Sequence, residues 1–515
     1  MRVPLTIGDF LERAALVFPE REALVDEPGV AGSLGRITYA ELHARALGMA
    51  LAFDELGIAH GERVAIISPN SGRFLTSYFG VSGFGRVLVP INYRLNAQEI
   101  GYIVEHSGAS VVLYDTEVED VLGEVDVKHR YALDGVADAE IFAPAPAGVR
   151  PSRWEPDEDA TCSINYTSGT TARPKGVQLT HRNCWLNATA FGWHTTVSDR
   201  DVLLHTLPMF HCNGWGMPYA VTAMGGRHVV QRKIDGESIL SRVEEEGLTL
   251  MCGAPAVVAA ILDAAGARKA DGRTVPGRDR TRIVVAGAPP PSKAIERVET
   301  ELGWEFIQIY GLTETTPVIT VNRAPIEWDD LDPAERARRQ SRAGVPAVGV
   351  QIDIDDQGEI LARGNVVFAG YWQQPEETAK AVRDGWFHTG DGGYFDGPYV
   401  VIADRKKDVI ITGGENVSSI EVEDCLYQHE AVAEVAVIGV PDERWGETIK
   451  ALIVVRDGHE VTEIELIGHC RERMAHFKAP TSVEFREELV RTATGKLQKY
   501  KLRQTYWEGI ERGVN

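Results

Sequence analysis

Short apolar runs separated by helix-length segments recur over about 400 residues of the chain, and this alternation narrows the possible folds more than any other feature. Arg63-Val-Ala-Ile-Ile67 is one such run, and others occupy 110–114, 160–166, 226–231, 247–252, 282–287 and 305–310. Strands of this kind, spaced by crossover helices, build parallel sheets with both faces covered. Thr38 and Glu41 form a capping-box pattern ahead of Leu42, Leu47, Phe53 and Leu56, which predicts an amphipathic helix that Gly57 ends. A further helical stretch carries Phe74, Tyr78 and Phe79. In open α/β sheets ligands sit beyond the carboxyl ends of the strands, so the loops after the apolar runs are the places to search.

Near residue 404 the character changes. Asp404-Arg405-Lys406-Lys407-Asp408 is a dense charged run. Beyond it the pattern predicts a helix at 418–428, strands near 433–440 and 448–455, and a helix opened by Thr462 and Glu465. A chain of 515 residues is long enough for two to four domains. The expected division is a large N-terminal domain over 1–406, made of α/β subdomains with parallel-rich sheets, and a small α+β domain over 407–515. Residues 266–280 read as a basic surface loop and 323–340 as a charged insertion.

Charge excludes some classes of partner. Lys and Arg total 53 against 75 Asp and Glu, a formal net charge of -22. Nucleic acids and anionic membranes repel such a surface, although a local basic site for an anionic substrate is compatible with it. There is no apolar run of about 18 residues, so no integral membrane segment is expected. The N-terminal stretch carries Asp9, Glu12 and Glu20 and lacks the apolar core of a secretory signal. Six cysteines, at 162, 184, 212, 252, 425 and 470, contain no C-x-x-C pair and are too sparse for a disulfide framework. A reducing compartment, the cytoplasm, is the expected location.

Tyr166-Thr-Ser-Gly-Thr-Thr-Ala-Arg-Pro-Lys-Gly176 follows the apolar run at 160–166 and precedes a segment that Thr180 can cap as a helix. Thr167, Ser168, Thr170 and Thr171 supply hydroxyls, Gly169 permits close backbone approach, and Lys175 supplies positive charge, an assembly suited to a polyphosphate. The spacing is not that of a Walker A loop. Four further stretches follow: Gly287-Ala288-Pro289, Gln308-Ile-Tyr-Gly-Leu-Thr-Glu-Thr-Thr316, Trp386-Phe-His-Thr-Gly-Asp391 and Arg491-Thr-Ala-Thr-Gly-Lys496.

Taken together, these stretches resemble, in order, the signatures of the adenylate-forming superfamily of acyl-CoA synthetases, luciferases and adenylation domains. The chain departs from the family pattern at Ala172, where glycine is usual. The resemblance implies ATP, Mg2+ and CoA as cofactor and co-substrates. It assigns Gly287, Ala288 and Pro289 to the adenine-side wall. Tyr310, beside Gly311, would stack on adenine, Thr313 would touch the α-phosphate and Glu314 would hold the metal. Asp391 would bind the ribose hydroxyls and Arg405 would reach the nucleotide. Lys407 would be the hinge of a mobile C-terminal domain, and Lys496 the catalytic lysine. Gly413 and Gly414 would line the pantetheine tunnel, with Trp445 a candidate CoA contact.

Leu207-Pro-Met-Phe-His-Cys-Asn-Gly-Trp215 is the candidate acyl slot. By resemblance His211 abuts the carboxylate and gates access of the thiol. Amino-acid-activating relatives carry Asp just after this Phe, so His211-Cys212 implies a plain carboxylic acid, short- or medium-chain or aryl. Trp215, with Pro317 after the second signature, would shape the slot. The implied reaction is formation of an acyl-adenylate and transfer to CoA. A carrier protein or an amine remains an alternative acceptor, and a homodimer is the default assembly.

Overall fold

A computed structural model describes residues 1–515 except 124, 168–172, 406–407, 413–414, 443–444, 492–496 and 508–515; for 404, 405 and 416 it describes the backbone alone. Two large sheets dominate it. The nine-stranded sheet runs, edge to edge, through Val345–Pro346, Val318–Arg323, Glu305–Gly311, Arg282–Val285, Leu250–Gly253, Val202–His205, Arg227–Val230, Glu22–Val25 and Arg36–Thr38. All pairings from Glu305–Gly311 through to Glu22–Val25 are parallel, and the outer strands are antiparallel. The seven-stranded sheet runs through Gly370–Tyr371, Lys175–Thr180, Thr161–Thr167, Val87–Ile91, Arg63–Ile67, Ala109–Tyr114 and His129–Ala132. It is parallel from Thr161–Thr167 onward.

The predicted caps form. Thr38 and Glu41 make a reciprocal capping box on the helix Tyr39–Glu55, as Thr462 and Glu465 do on Glu463–Arg473. The helix Gly72–Gly80 is buried along its whole length, and its Phe79 meets Tyr219 of the helix Met217–Met224 with ring centroids 5.8 Å apart. Burying an aromatic side chain of this size contributes about 1.5–3 kcal/mol, so this aromatic layer is a large part of the N-terminal core.

Two smaller all-strand or mixed units follow. Val350–Ile354, Glu359–Gly364, Trp386–Asp396, Val382–Arg383 and Tyr399–Arg405 form an antiparallel sheet. Farther on, Glu415–Val417, Ile410–Thr412, Gly446–Val455, Val432–Asp442 and Ser482–Phe485 form a mixed sheet. The helices Ser419–Tyr427 and Glu463–Arg473 pack on it around Val422, Leu426, Val437, Ile449 and Leu466, a core of its own. The fold is therefore mixed α/β, with parallel-rich sheets in its larger part and a smaller α+β unit.

One sequence expectation needs correction, and two other segments carry elements that the sequence reading did not assign. Lys175–Thr180 is a strand, antiparallel to Thr161–Thr167, and the helix His181–His194 starts only after it, under Thr180. The phosphate-loop sequence thus joins two strands of a hairpin. The cause is tertiary: Gly370–Tyr371 pairs with the other edge of Lys175–Thr180. The expected basic loop at 266–280 begins inside the helix Pro255–Ala270, because Arg268 is buried and bonded to Glu237. The expected insertion at 323–340 contains the helix Pro333–Gln340, anchored through buried Ala337, with buried Trp328 ahead of it.

Candidate active site

The carboxyl ends of strands from both large sheets converge on one region. Thr167 ends the strand Thr161–Thr167, opposite Lys175 in register. Tyr310 and Gly311 end the strand Glu305–Gly311. Gly287, Ala288 and Pro289 lie just beyond Arg282–Val285, and the positive φ of Gly287, 91°, favours glycine there. Gly311 is required for a different reason: a Cβ would overlap the carbonyl oxygen of Pro317.

The loop after Gly311 is held from within. Thr315 accepts from the amide of Leu312 and donates to the carbonyl of Pro317, at 2.9 and 2.6 Å. The Thr316 hydroxyl donates to the carbonyl of Val366 at 2.6 Å, and the amide of Phe368 donates to the carbonyl of Glu314 at 2.8 Å. These bonds fix Thr313 and Glu314 at the end of a strand, where a substrate phosphate would meet them.

Side chains distant in sequence meet here. Tyr310 donates its hydroxyl to Asp391 at 2.9 Å, joining the residues assigned to adenine and ribose. The Asp391 amide is bonded to Thr389 at 3.1 Å, and its backbone pairs with that of Arg405. Tyr371 donates its hydroxyl to Glu314 at 2.9 Å. Lys175 lies 4.8 Å from the Tyr371 ring centre and pairs with Glu377 at 2.5 Å. Burial raises the Glu314 carboxyl above the usual range, opposed by the Tyr371 hydrogen bond and the Lys175 charge and reinforced by Asp391. Bonds from Lys175 and then Lys380 hold Glu377 down at about 2. The half-buried Glu314 carboxylate, with buried Asp391 and Thr313 near it, is a set of hard oxygen donors that would suit Mg2+.

The candidate acyl slot is a distorted turn. Cys212, Asn213 and Trp215 have φ of 46°, 50° and 61°, in the left-handed region that non-glycine residues rarely occupy. Asn213 is fixed by a buried triangle with Ser163 and Asn165, at 2.8 and 3.1 Å. Trp215 and Pro317 are both buried, and His211 is partly exposed at the start of the turn. Burial pushes the Cys212 thiol well above its usual range, which keeps it protonated and poorly nucleophilic. Trp445 is exposed at the end of the hairpin of Val432–Asp442 and Gly446–Val455, its amide bonded to Asp442 at 2.9 Å.

Ser168, Gly169, Thr170, Thr171, Ala172, Lys407, Gly413, Gly414, Lys496 and the side chain of Arg405 lie outside the described residues. The sequence reading missed Tyr371, Glu377 and Asn187. Tyr371 stands in Gly370-Tyr371-Trp372, an aromatic run directly after glycine, which was the one available signal.

Tyr310, Asp391, Glu314, Tyr371 and Lys175, drawn from segments far apart in the chain, are thus brought together by direct contacts. Residues 11–372 match the family described as AMP-binding enzyme, and 421–496 match the AMP-binding enzyme C-terminal domain. The chain belongs to the AMP-binding enzyme family. It is 37% identical to 4-hydroxybutyrate–CoA ligase 2 of Metallosphaera sedula, over 96% of this chain and 93% of that one. It is also 37% identical to a 2-methylpropanoate–CoA ligase of Humulus lupulus, over 97% and 95% of the two chains. Among solved structures, the o-succinylbenzoate CoA synthetase of Bacillus subtilis with its acyl-adenylate superposes with a TM-score of 0.81 at 28% identity, over 96% of this chain and 97% of that one. A CoA ligase of this family works with ATP, Mg2+ and CoA. No helix among the described residues is long and apolar enough to cross a membrane.

Proposed function

We propose that the protein is an AMP-forming carboxylate–CoA ligase acting on a short- or medium-chain fatty acid or an aryl acid. The observation that carries this reading is the pairing of Tyr310 with Asp391 beside Glu314, Tyr371 and Lys175, one nucleotide site assembled from three motifs. Two relatives named for four-carbon acids support the small-acid range.

In the first half-reaction an oxygen of the acid's carboxylate bonds to the α-phosphorus of ATP, and pyrophosphate leaves. Two anions must meet, so the task of the site is to neutralise and align them. Lys175 and residues 167–171 hold the phosphates, Tyr310 and Asp391 orient the nucleoside, and Arg405 and Lys496 add positive charge. Mg2+, held by Glu314, would supply Lewis-acid neutralisation of the phosphates. In the second half-reaction the CoA thiolate attacks the acyl carbon and AMP leaves, giving the thioester. We place the domain boundary at 406/407, with Lys407 as hinge. Rotation there withdraws Lys496 and brings Gly413 and Gly414 to the site, and Trp445 contacts the CoA adenine. The six thiols, all buried, suit a reducing cytoplasm, and a homodimer is the assembly to test by light scattering.

The decisive experiment measures AMP release across a panel of acids with and without CoA, alongside hydroxylamine trapping. CoA-dependent AMP release with a small acid is expected. Trapping without CoA-dependent turnover would move the acceptor to a carrier protein or an amine. Lys496→Ala should abolish adenylation yet spare thioester formation from supplied acyl-adenylate, and equal loss in both halves would remove that role.

A further inference from the structure

The acyl-slot turn and the Glu314 loop come from chain segments about 100 residues apart, yet one side chain touches both. Asn187, on the helix His181–His194, is buried at 1% exposure. Its Nδ2 donates to the carbonyl of Trp215 at 3.0 Å, and its Oδ1 accepts from the amide of Val318 at 3.2 Å. Trp215 is one of the three strained non-glycine residues of the turn, and Val318 follows Thr316 (φ 67°) and Pro317. Unfavourable backbone persists only where its surroundings over-determine it. Asn187 is therefore placed at the joint between two strained segments, with donor and acceptor each used in the only sense that satisfies both backbone groups.

We propose that Asn187 is a positioning residue that sets the width of the acyl slot by fixing Trp215 against Pro317 and Val318, and so governs which acids bind. This rests on the carboxylate–CoA ligase reading above. No other side chain with a hydrogen bond recorded among the described residues bridges the Trp215 carbonyl and the Val318 amide. The turn's other anchors act on its remaining parts: Asn70 and Tyr78 hold Met209, and Ser163 and Asn165 hold Asn213. Gly216 packs directly on Asn187, where a Cβ would collide with Nδ2, so the contact is close as well as polar. Asn187 itself bonds to none of Tyr310, Asp391 and Lys175, and the nearest link to them is the pairing of Val318 with Gly311, beside Tyr310.

The test uses the full-length enzyme with Asn187→Asp and Asn187→Ser. The aspartate keeps the acceptor for Val318 but sets an oxygen against the Trp215 carbonyl, and the serine shortens the side chain and loses the bridge. KM for each acid, KM for ATP and kcat are measured across acids of graded length and branching, with circular dichroism to confirm folding. The expected result is an acid KM raised about tenfold or more with a reordered acid preference, while KM for ATP stays within about twofold. Unchanged acid preference in folded, active variants overturns this inference alone. Equal loss towards acid and ATP, or failure of both variants to fold, makes Asn187 a residue of general stability and also overturns it. A wild-type enzyme that releases AMP with no acid overturns the ligase reading and this inference with it.

Discussion

The Tyr371 hydroxyl bonds to Glu314 while the Lys175 ammonium lies 4.8 Å from the centre of the same ring, so one aromatic side chain touches both the carboxylate proposed to hold Mg2+ and the cation proposed to hold the phosphates. Tyr371 belongs to a two-residue strand that also pairs with Lys175–Thr180. The ring thus spaces Glu314 from Lys175. Replacing Tyr371 with Phe keeps the ring and removes the bond. A hydrogen bond to a charged group is worth about 1.5–3 kcal/mol, so the Mg2+ concentration for half-maximal ATP–pyrophosphate exchange should rise at least about tenfold. An unchanged Mg2+ requirement would show that Glu314 is positioned without Tyr371.

If Lys175 holds the phosphates as proposed, Glu377 competes with the nucleotide for it. Lys175 is four-fifths buried, and Glu377 is one-third exposed and also bonded to Lys380. On that proposal an incoming polyphosphate draws Lys175 away from this partner. Glu377→Gln should lower KM for ATP by about two- to fivefold, a modest effect because water and salt screen a part-exposed pair. Lys175→Ala should raise it by more. If the glutamine variant binds ATP no better, the pair does not restrain the lysine.

These two relationships show what the sequence could and could not reveal. Tyr310 and Asp391 were singled out through the family resemblance of their motifs, and the structure brings their side chains into contact. The capping boxes at Thr38 and Thr462 were legible because a cap involves residues three apart. Tyr371 and Glu377 were not, since their partners Glu314 and Lys175 stand 57 and 202 residues away. The strand Lys175–Thr180 went unassigned for the same reason: its extended conformation depends on Gly370–Tyr371 at its far edge. Asn187 escaped notice because a polar residue inside an amphipathic helix carries no mark of the two backbone groups it will satisfy.

A contact between the two halves of the chain leads to a third prediction. The amide and hydroxyl of Ser292, three residues beyond Pro289, donate to Asp424 on the helix Ser419–Tyr427, at 2.9 and 3.1 Å. Arg456 and Asp263 form a looser link at 3.8 Å. If the smaller domain must rotate between half-reactions, these contacts favour the orientation in which they form. Asp424→Ala should change the rates of adenylation and thioester formation in opposite directions, read by single-turnover assays of each. Parallel changes in both rates would mean that the contact supports folding and not the balance between orientations.

A buried pair of histidines, one of them just ahead of the acyl-slot stretch, predicts a dependence of stability on pH. His205 Nε2 and His228 Nδ1 are 3.0 Å apart, and His228 Nε2 is 3.0 Å from the Thr222 hydroxyl. Burial pushes His205 down to about 3, and burial, with the His205 neighbour, also holds His228 well below the usual histidine range. Both are neutral in the fold, whereas an unfolded chain protonates histidine near pH 6.5. The unfolded state therefore binds more protons between about pH 6.5 and pH 3, so stability is full above that window and falls as the pH is lowered through it. Two such groups give a slope of at most about 2.7 kcal/mol per pH unit. His181, held at about 4 by burial, adds to it. His228→Gln removes one proton-binding site while its amide can still reach Thr222. The loss of melting temperature between pH 7.5 and 5.5 should then shrink, leaving the share due to His205 and His181. A variant whose melting temperature falls as steeply as that of the wild type would assign the acid sensitivity to other groups.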